Sequence, residues 1–263
     1  MMQLVDTHTH VYDPDFEGVM LMVSTFMGKR NPLYDGDEDS VEQVAKLVET
    51  HDNAYAILGI YPEFAHDLDI DKNIKELHTI ILKNRKKVVA IGEIGLDYHC
   101  QPNIRHIQDQ QKLFRAQLEL ARELDLPVSL HIRDACPNDN ADAFDDALSI
   151  IADFPGIRGV CHSFTGTKKS LDQALALGLY ISINGIYTFN KDPELQSALD
   201  SIPLNRLLLE TDAPFLTPAP HRKHRNKSTF LPAIAEFVAK SRDTTPEEIA
   251  TITTQNAKDL FDI

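Results

Sequence analysis

Short apolar runs rich in β-branched residues alternate along this chain with longer stretches whose apolar residues recur about every 3.6 positions. Eight runs read as strands: Gln3–His8, Val19–Ser24, Ala54–Ile60, Val88–Glu93, Pro127–His131, Arg158–His162, Tyr180–Asn184 and Arg206–Thr211. Helical patterns cover Asp39–His51, Asp71–Asn84, Ile104–Leu124, Ala141–Asp153, Thr167–Leu177, Thr229–Ser241 and Pro246–Leu260. In "QKLFRAQLELARELDLP", Leu113, Phe114, Gln117, Leu118, Ala121 and Leu124 keep a helical period with charges between them, and Pro127 then opens a strand. Pro246 before Glu247 and Glu248 reads as a helix first turn, with the preceding Thr-Thr pair supplying an N-cap.

Eight strands alternating with helices in 263 residues predict a single (β/α)₈ TIM barrel filling residues 1–263 as one domain. An open doubly wound sheet is the runner-up, but no glycine-rich loop follows the first strand. The first crossover is short. About ten residues separate His8 from the second strand, where a parallel crossover takes about a dozen or more. The first βα unit is therefore expected to be shortened, with its helix rudimentary or missing.

In such a barrel the chemistry lies at the C-terminal ends of the strands. The first strand ends in "VDTHTH", where Asp6, His8 and His10 alternate and so should share one face. Glu93 ends the fourth strand in "AIGEIGLDY", His131 the fifth in "VSLHIRDA" and His162 the sixth in "GVCHSFTG". Glu210 and Asp212 end the eighth in "LLLETDAPFL". One histidine at a strand end is more often a hydrogen-bonded structural residue. Imidazoles and carboxylates at the ends of five strands point instead to divalent metal, Zn²⁺ or Mn²⁺ on the mixed set and Mg²⁺ on the carboxylates. Six ligands exceed what one catalytic ion takes, so two ions sharing a carboxylate is the natural reading. Asp6 is a candidate partner for a ligating histidine.

Composition sharpens the substrate. The chain carries 40 Asp+Glu against 26 Lys+Arg, a formal net charge of -14, which disfavours general affinity for nucleic acid. Yet "HRKHRNK", residues 221–227, gathers Arg222, Lys223, Arg225 and Lys227 just past the last strand. A solvated surface run is the ordinary reading of such a stretch, but loops in this part of a barrel often bind phosphate. The three cysteines, Cys100, Cys136 and Cys161, have no framework spacing. With no signal peptide and no apolar run long enough to span a bilayer, they suggest a reducing cytoplasm and no membrane. Cys161 should point away from His162, since neighbouring strand residues face opposite sides. Nothing near Cys136 would make it a nucleophile.

The motifs "VDTHTH", "AIGEIGLDY", "HIRDA", "CHSFTG", "ISINGI", "LLLETDAPFL", "PHR" and "TTQNAKDLF", in that order, resemble the TatD family of metal-dependent hydrolases. The resemblance is good from about Ala54 to the C-terminus and strong at His8 and His10. It implies an amidohydrolase-like barrel and a metal-dependent nuclease, commonly trimming DNA in the 3′→5′ direction. By motif position, His8, His10, Glu93 and Asp212 would hold one ion, and Glu93, His131 and His162 the second, with Glu93 bridging. Phosphodiester hydrolysis is then expected, with Asp212 as general base and Glu210 behind it. Arg133 and Arg222 would grip phosphate oxygens, and Tyr98 and Phe164 would stack on a base or shape the pocket. The family's usual "G-[IV]-H-P" reads "GIYP" here, so Tyr61 stands in a substrate-facing position, and Lys223 replaces the usual glycine after "PHR".

Two other readings remain open at this level. One is a hydrolase of esters or amides, such as a D-aminoacyl-tRNA deacylase; relatives of that kind often bridge two metals with a modified lysine on the fourth strand, and "VVAIGEI" has none. The other is a non-catalytic metal-binding subunit, in which a second copy or a partner chain covers apolar surface left by a missing first helix.

Overall fold

The computed structural model describes residues 3–24, 41–99, 104–135 and 142–263. Cys100, Cys136 and the ends of two expected helices lie outside them. Eight strands form one sheet: β1 (Val5–Thr9), β2 (Val19–Ser24), β3 (Ala54–Leu58), β4 (Val88–Asp97), β5 (Val128–Arg133), β6 (Gly159–Cys161), β7 (Tyr180–Ile183) and β8 (Leu207–Leu209). They are hydrogen-bonded in chain order and every pair is parallel. The sheet returns on itself. Asp212 N donates to His8 O at 2.9 Å and His10 N to Ala213 O at 2.8 Å, joining β1 to the segment after β8. This is the TIM barrel that the alternating pattern leads one to expect.

The helices are α1 (Val41–Glu49), α2 (Ile70–Lys83), α3 (Ile104–Leu124), α4 (Ala143–Ala152), α5 (Lys168–Ala176), α6 (Pro193–Ser201), α7 (Leu231–Ser241) and α8 (Pro246–Phe261). Residues 10–18 form only turns and bends, so no helix separates β1 from β2, in line with the short first crossover. Thr245 caps α8 as expected, its hydroxyl accepting from Glu248 N. Helix α6 was not assigned from the sequence. Its nine residues give a weak period, but Asp192 as N-cap and Pro193 at the first position were its legible signal.

Val5, Leu21, Ile57, Val89, Val160 and Leu208 come from six strands yet pack in one cluster with Ala257, Leu260 and Phe261 of α8. Residues from six strands can meet only inside the barrel. Most of them sit in the first half of their strands or near the middle and pack on α8, so this cluster fills the N-terminal end and leaves the other end for polar groups. Full burial of each such side chain contributes on the order of 1.5–3 kcal/mol. Cys161 faces the other way, into the layer between sheet and helices, where burial pushes its thiol up to about 12. That removes it as a nucleophile at neutral pH.

Two local irregularities set the site. Between Asp6 and Thr9, β1 advances three residues while β2 advances two, from Met20 to Met22. The extra residue breaks the alternation that put Asp6, His8 and His10 on one face. Asp6 instead accepts from Thr211 N at 2.8 Å, Thr211 Oγ1 at 2.7 Å and Ser228 Oγ at 2.6 Å, and it touches no ligand-type histidine. Strand β4 is the second case. It continues past the expected end at Glu93, pairing Gly95 with His131 and Asp97 with Arg133. Gly95 permits this: its φ is +138°, and a Cβ there would lie 2.1 Å from the His131 carbonyl oxygen.

Candidate metal centre

At the C-terminal mouth the six expected ligands converge from five strand ends. The two oxygens of Glu93 face two clusters. Oε1 lies 2.7 Å from His131 Nδ1 and 2.8 Å from His162 Nε2, and those two nitrogens are 3.4 Å apart. Oε2 lies 3.7 Å from His8 Nε2, which is 3.7 Å from Asp212 Oδ1, which in turn is 3.5 Å from His10 Nε2. Donor atoms about 2.0–2.1 Å from a tetrahedral ion stand roughly 3.3–3.4 Å from one another, so His8, His10 and Asp212 are spaced much like donors to one ion, with Glu93 beside His8. Two buried triads, His8–Glu93–His162 and His8–His10–Asp212, each bring their ligand atoms within 4.8 Å of one another.

His8 tests whether these residues suit a metal. Its ring is fully buried, and neither nitrogen has a hydrogen-bond partner. Burial, then His162 alongside at a ring separation of 3.8 Å, holds its pKa well below the ordinary value and keeps it neutral. A neutral imidazole with two unsatisfied buried nitrogens among carboxylates is costly as a structural feature and apt as a metal ligand. For Glu93, burial favours the neutral acid, but His162 and His131 outweigh it and hold the carboxylate well below its usual range. Burial likewise opposes charge on His131 and His162. Glu93 prevails in both, assisted by Asp97 at His131 and Glu210 at His162, raising His131 to about 9 and His162 well above its ordinary value. Without a metal, protons thus stand at His131 and His162 beside the Glu93 carboxylate, where a cation would displace them.

A second ring of polar groups lies behind the candidate ligands. Glu210 is 1% exposed; its Oε1 accepts from Ser163 N at 2.6 Å and from Asn184 Nδ2 at 3.3 Å, and lies 3.3 Å from His162 Nδ1. It therefore sits behind His162 rather than behind Asp212. Asp97 lies behind His131, with its Oδ2 2.9 Å from His131 Nε2. Sequence reading missed Asp97 because β4 was ended too early; the alternation Glu93, Gly95, Asp97 was the available signal. Asp212 adopts a left-handed φ of 56°, held by its own N–H on His8 O and by Phe215 N on its carbonyl. Aspartate tolerates that region better than most residues, and such backbone is common at functional sites.

The expected substrate residues fare differently. Tyr98 and Phe164 are corrected: both are essentially fully buried. Tyr98 donates to Asp146 Oδ2 at 2.8 Å, and Phe164 packs edge-on against Phe144 at 5.3 Å, so neither ring offers a face to a base. Tyr61 is half-buried, and its hydroxyl lies 2.9 Å from both Asp97 Oδ2 and His131 Nε2. Arg133 is exposed at the end of β5. Arg222 is exposed, with its guanidinium 3.7 Å above the Phe189 ring and Nη1 donating to Thr217 O at 2.8 Å. The basic loop is anchored from below. Buried Asn226 donates to Thr211 O at 2.8 Å, and Ser228 to Asp6, while Lys223 and Arg225 stay exposed. An aromatic the sequence reading did not select, Phe215, is 42% exposed and stands edge-on to His10 at 6.1 Å.

Similarity to known proteins runs along nearly the whole chain. Residues 5–262 match the family model described as TatD related DNase. A Bacillus subtilis protein named as an uncharacterized metal-dependent hydrolase, YabD, is 36% identical, covering 99% of both chains. A protein of Rahnella named as a 3′-5′ ssDNA/RNA exonuclease, TatD, is 40% identical over 85% of this chain and 83% of its own. The crystal structure of YJJV, a TatD homolog from Escherichia coli, superposes with a TM-score of 0.80 at 26% identity, covering 99% of this chain and 98% of that one. Among the described residues no helix is long and apolar enough to cross a membrane.

Proposed function

The chain belongs to the TatD-related DNase family of metal-dependent hydrolases, and on that premise we propose that it is a divalent-metal-dependent nuclease that trims single-stranded DNA or RNA from the 3′ end. The observation that carries the proposal is the convergence of His8, His10, Glu93, His131, His162 and Asp212 at one barrel mouth, with His8 buried and neither of its nitrogens hydrogen-bonded. In this reading His8, His10, Glu93 and Asp212 would hold one ion, and Glu93, His131 and His162 would hold the other. When bound, divalent ions such as Mg²⁺, Mn²⁺ or Zn²⁺ lower the pKa of a water and neutralise charge building on a phosphoryl group.

The chain's own residues divide the remaining work. Asp212 takes the proton of the attacking water. Its side chain is 12% exposed, against 5% for Glu93 and 1% for Glu210, so it is the carboxylate of the three most open to the mouth. Glu210 turns His162 toward Glu93. Arg222 and Arg133 grip phosphate oxygens at the rim, with the Phe189 stack holding the Arg222 fork in one orientation. Phe215 takes the base-stacking role that buried Tyr98 and Phe164 cannot fill. The basic loop thus lets an acidic protein accept a polyanion at one place.

The test uses purified protein, end-labelled single-stranded DNA, and Mg²⁺, Mn²⁺ or Zn²⁺ supplied separately. Release of 3′-terminal nucleotides is expected, with loss on chelation and in Glu93→Ala and Asp212→Ala. Release that survives those two substitutions would refute the proposal. Turnover of p-nitrophenyl esters or D-aminoacyl-tRNA in place of DNA would favour ester hydrolysis instead.

A further inference from the structure

Behind His131 lies a second polar arrangement that the ligand set does not require. Tyr61 Oη, Asp97 Oδ2 and His131 Nε2 form a triangle with every side 2.9 Å. The tyrosine hydroxyl donates to the carboxylate, whose other oxygen accepts from His99 N at 2.9 Å. Asp97 is buried, so its orientation is not averaged by solvent.

The backbone around both partners is clamped by one helix. On α3, buried Gln110 binds both main-chain groups of Asp97: Oε1 accepts from Asp97 N at 2.8 Å and Nε2 donates to Asp97 O at 2.9 Å. Seven residues on, buried Gln117 does the same to Ile60, the neighbour of Tyr61, at 2.7 and 2.9 Å. Positions i and i+7 fall on one helix face, so α3 acts as a ruler that fixes Tyr61 and Asp97 relative to each other. A primary amide paired with both groups of one residue leaves little freedom at either end.

We propose that Tyr61 and Asp97, held by Gln117 and Gln110, are a positioning pair that fixes the ring and tautomer of His131. Asp97 accepts from Nε2–H, which leaves the Nδ1 lone pair aimed at the point His131 shares with Glu93 and His162. Tyr61 occupies one lone pair of Asp97 and closes the far side of the ring, which it meets edge-on at 4.7 Å between centroids. In this chain Tyr61 is then a support of the metal centre rather than a contact for substrate. The inference rests on the reading of His131 as a ligand and adds what makes it a selective one.

The experiment is zinc titration calorimetry on the full metal-free chain, with ¹⁵N spectra of the histidine rings in the zinc-loaded protein. Wild type is compared with Tyr61→Phe and Asp97→Asn, and a thermal melt controls for folding. Wild type should take up two ions and show His131 protonated at Nε2. Asp97→Asn should weaken one ion about 10–100-fold and leave the other unchanged, and Tyr61→Phe should weaken that same ion by a smaller factor. Both variants should show a mixed His131 tautomer. Unchanged affinities and spectra would overturn the inference. So would equal loss of both ions together with a collapsed melting transition, which would mark the pair as merely structural. A wild-type chain that takes up no second ion would overturn the metal-centre reading itself, and this inference with it.

Discussion

Replacing Glu93 by glutamine tests the electrostatic account of the site without activity as the readout. The side chain keeps its volume but loses its charge, and one amide oxygen cannot serve His131 Nδ1 and His162 Nε2 as the carboxylate does at 2.7 and 2.8 Å. His131 is raised from 6.5 to about 9, and its side chain is only 15% exposed, so solvent screening is modest. At about 1.4 kcal/mol per pH unit, that gap stabilises the metal-free fold by about 3 kcal/mol at most. The sign follows from the raised pKa. The contribution is complete below the unfolded value of 6.5 and is lost as pH rises through about 9. Urea unfolding of chelator-treated protein should therefore find Glu93→Gln weaker than wild type by on the order of 3 kcal/mol at pH 6.5, and by less at pH 10, where the His131 contribution is gone. Calorimetry should find at least one of two divalent ions lost, because one residue serves both clusters. Equal stability at pH 6.5 with an intact two-ion isotherm would refute the reasoning.

Other outcomes follow from the same geometry. Apparent affinity for Zn²⁺ should strengthen from pH 6.5 to 9, because an ion must displace the proton that Glu93 and Asp97 keep on His131; a flat profile by calorimetry would count against that assignment. Gly95→Ala places a methyl 2.1 Å from His131 O at a φ of +138°, so a loss of about 3 kcal/mol or more is expected in denaturant melts, with weakened binding of the ion at His131. Arg222→Ala should raise KM for DNA about tenfold with kcat little changed, against no change in the distant control Lys258→Ala; equal KM values would return the basic loop to an ordinary solvated run. Tyr98→Phe should leave KM unaltered while costing roughly 1 kcal/mol of stability, since it removes a hydrogen bond to Asp146 and no substrate contact.

The sequence by itself determined the eight strands, most of the helices and the six side chains that converge at the barrel mouth. Those features are local: hydrophobic period marks each element, and a barrel places the C-terminal ends of its strands on one rim. The short first crossover was legible for the same reason, since chain length alone limits what ten residues can build. Tertiary structure decided which way each remaining group faces. An extra residue in β1 sends Asp6 to Thr211 and Ser228 although it alternates with His8 in the chain. Continuation of β4 through Gly95 places Asp97 behind His131, and α3 fixes it there from a separate part of the sequence. Tyr98 and Phe164 adjoin the rim in sequence but turn into the core, while Phe215 remains exposed beside His10. Strand register, bulges and the packing of distant helices fix these directions. They arise from pairings between residues far apart in the chain, which no local period records.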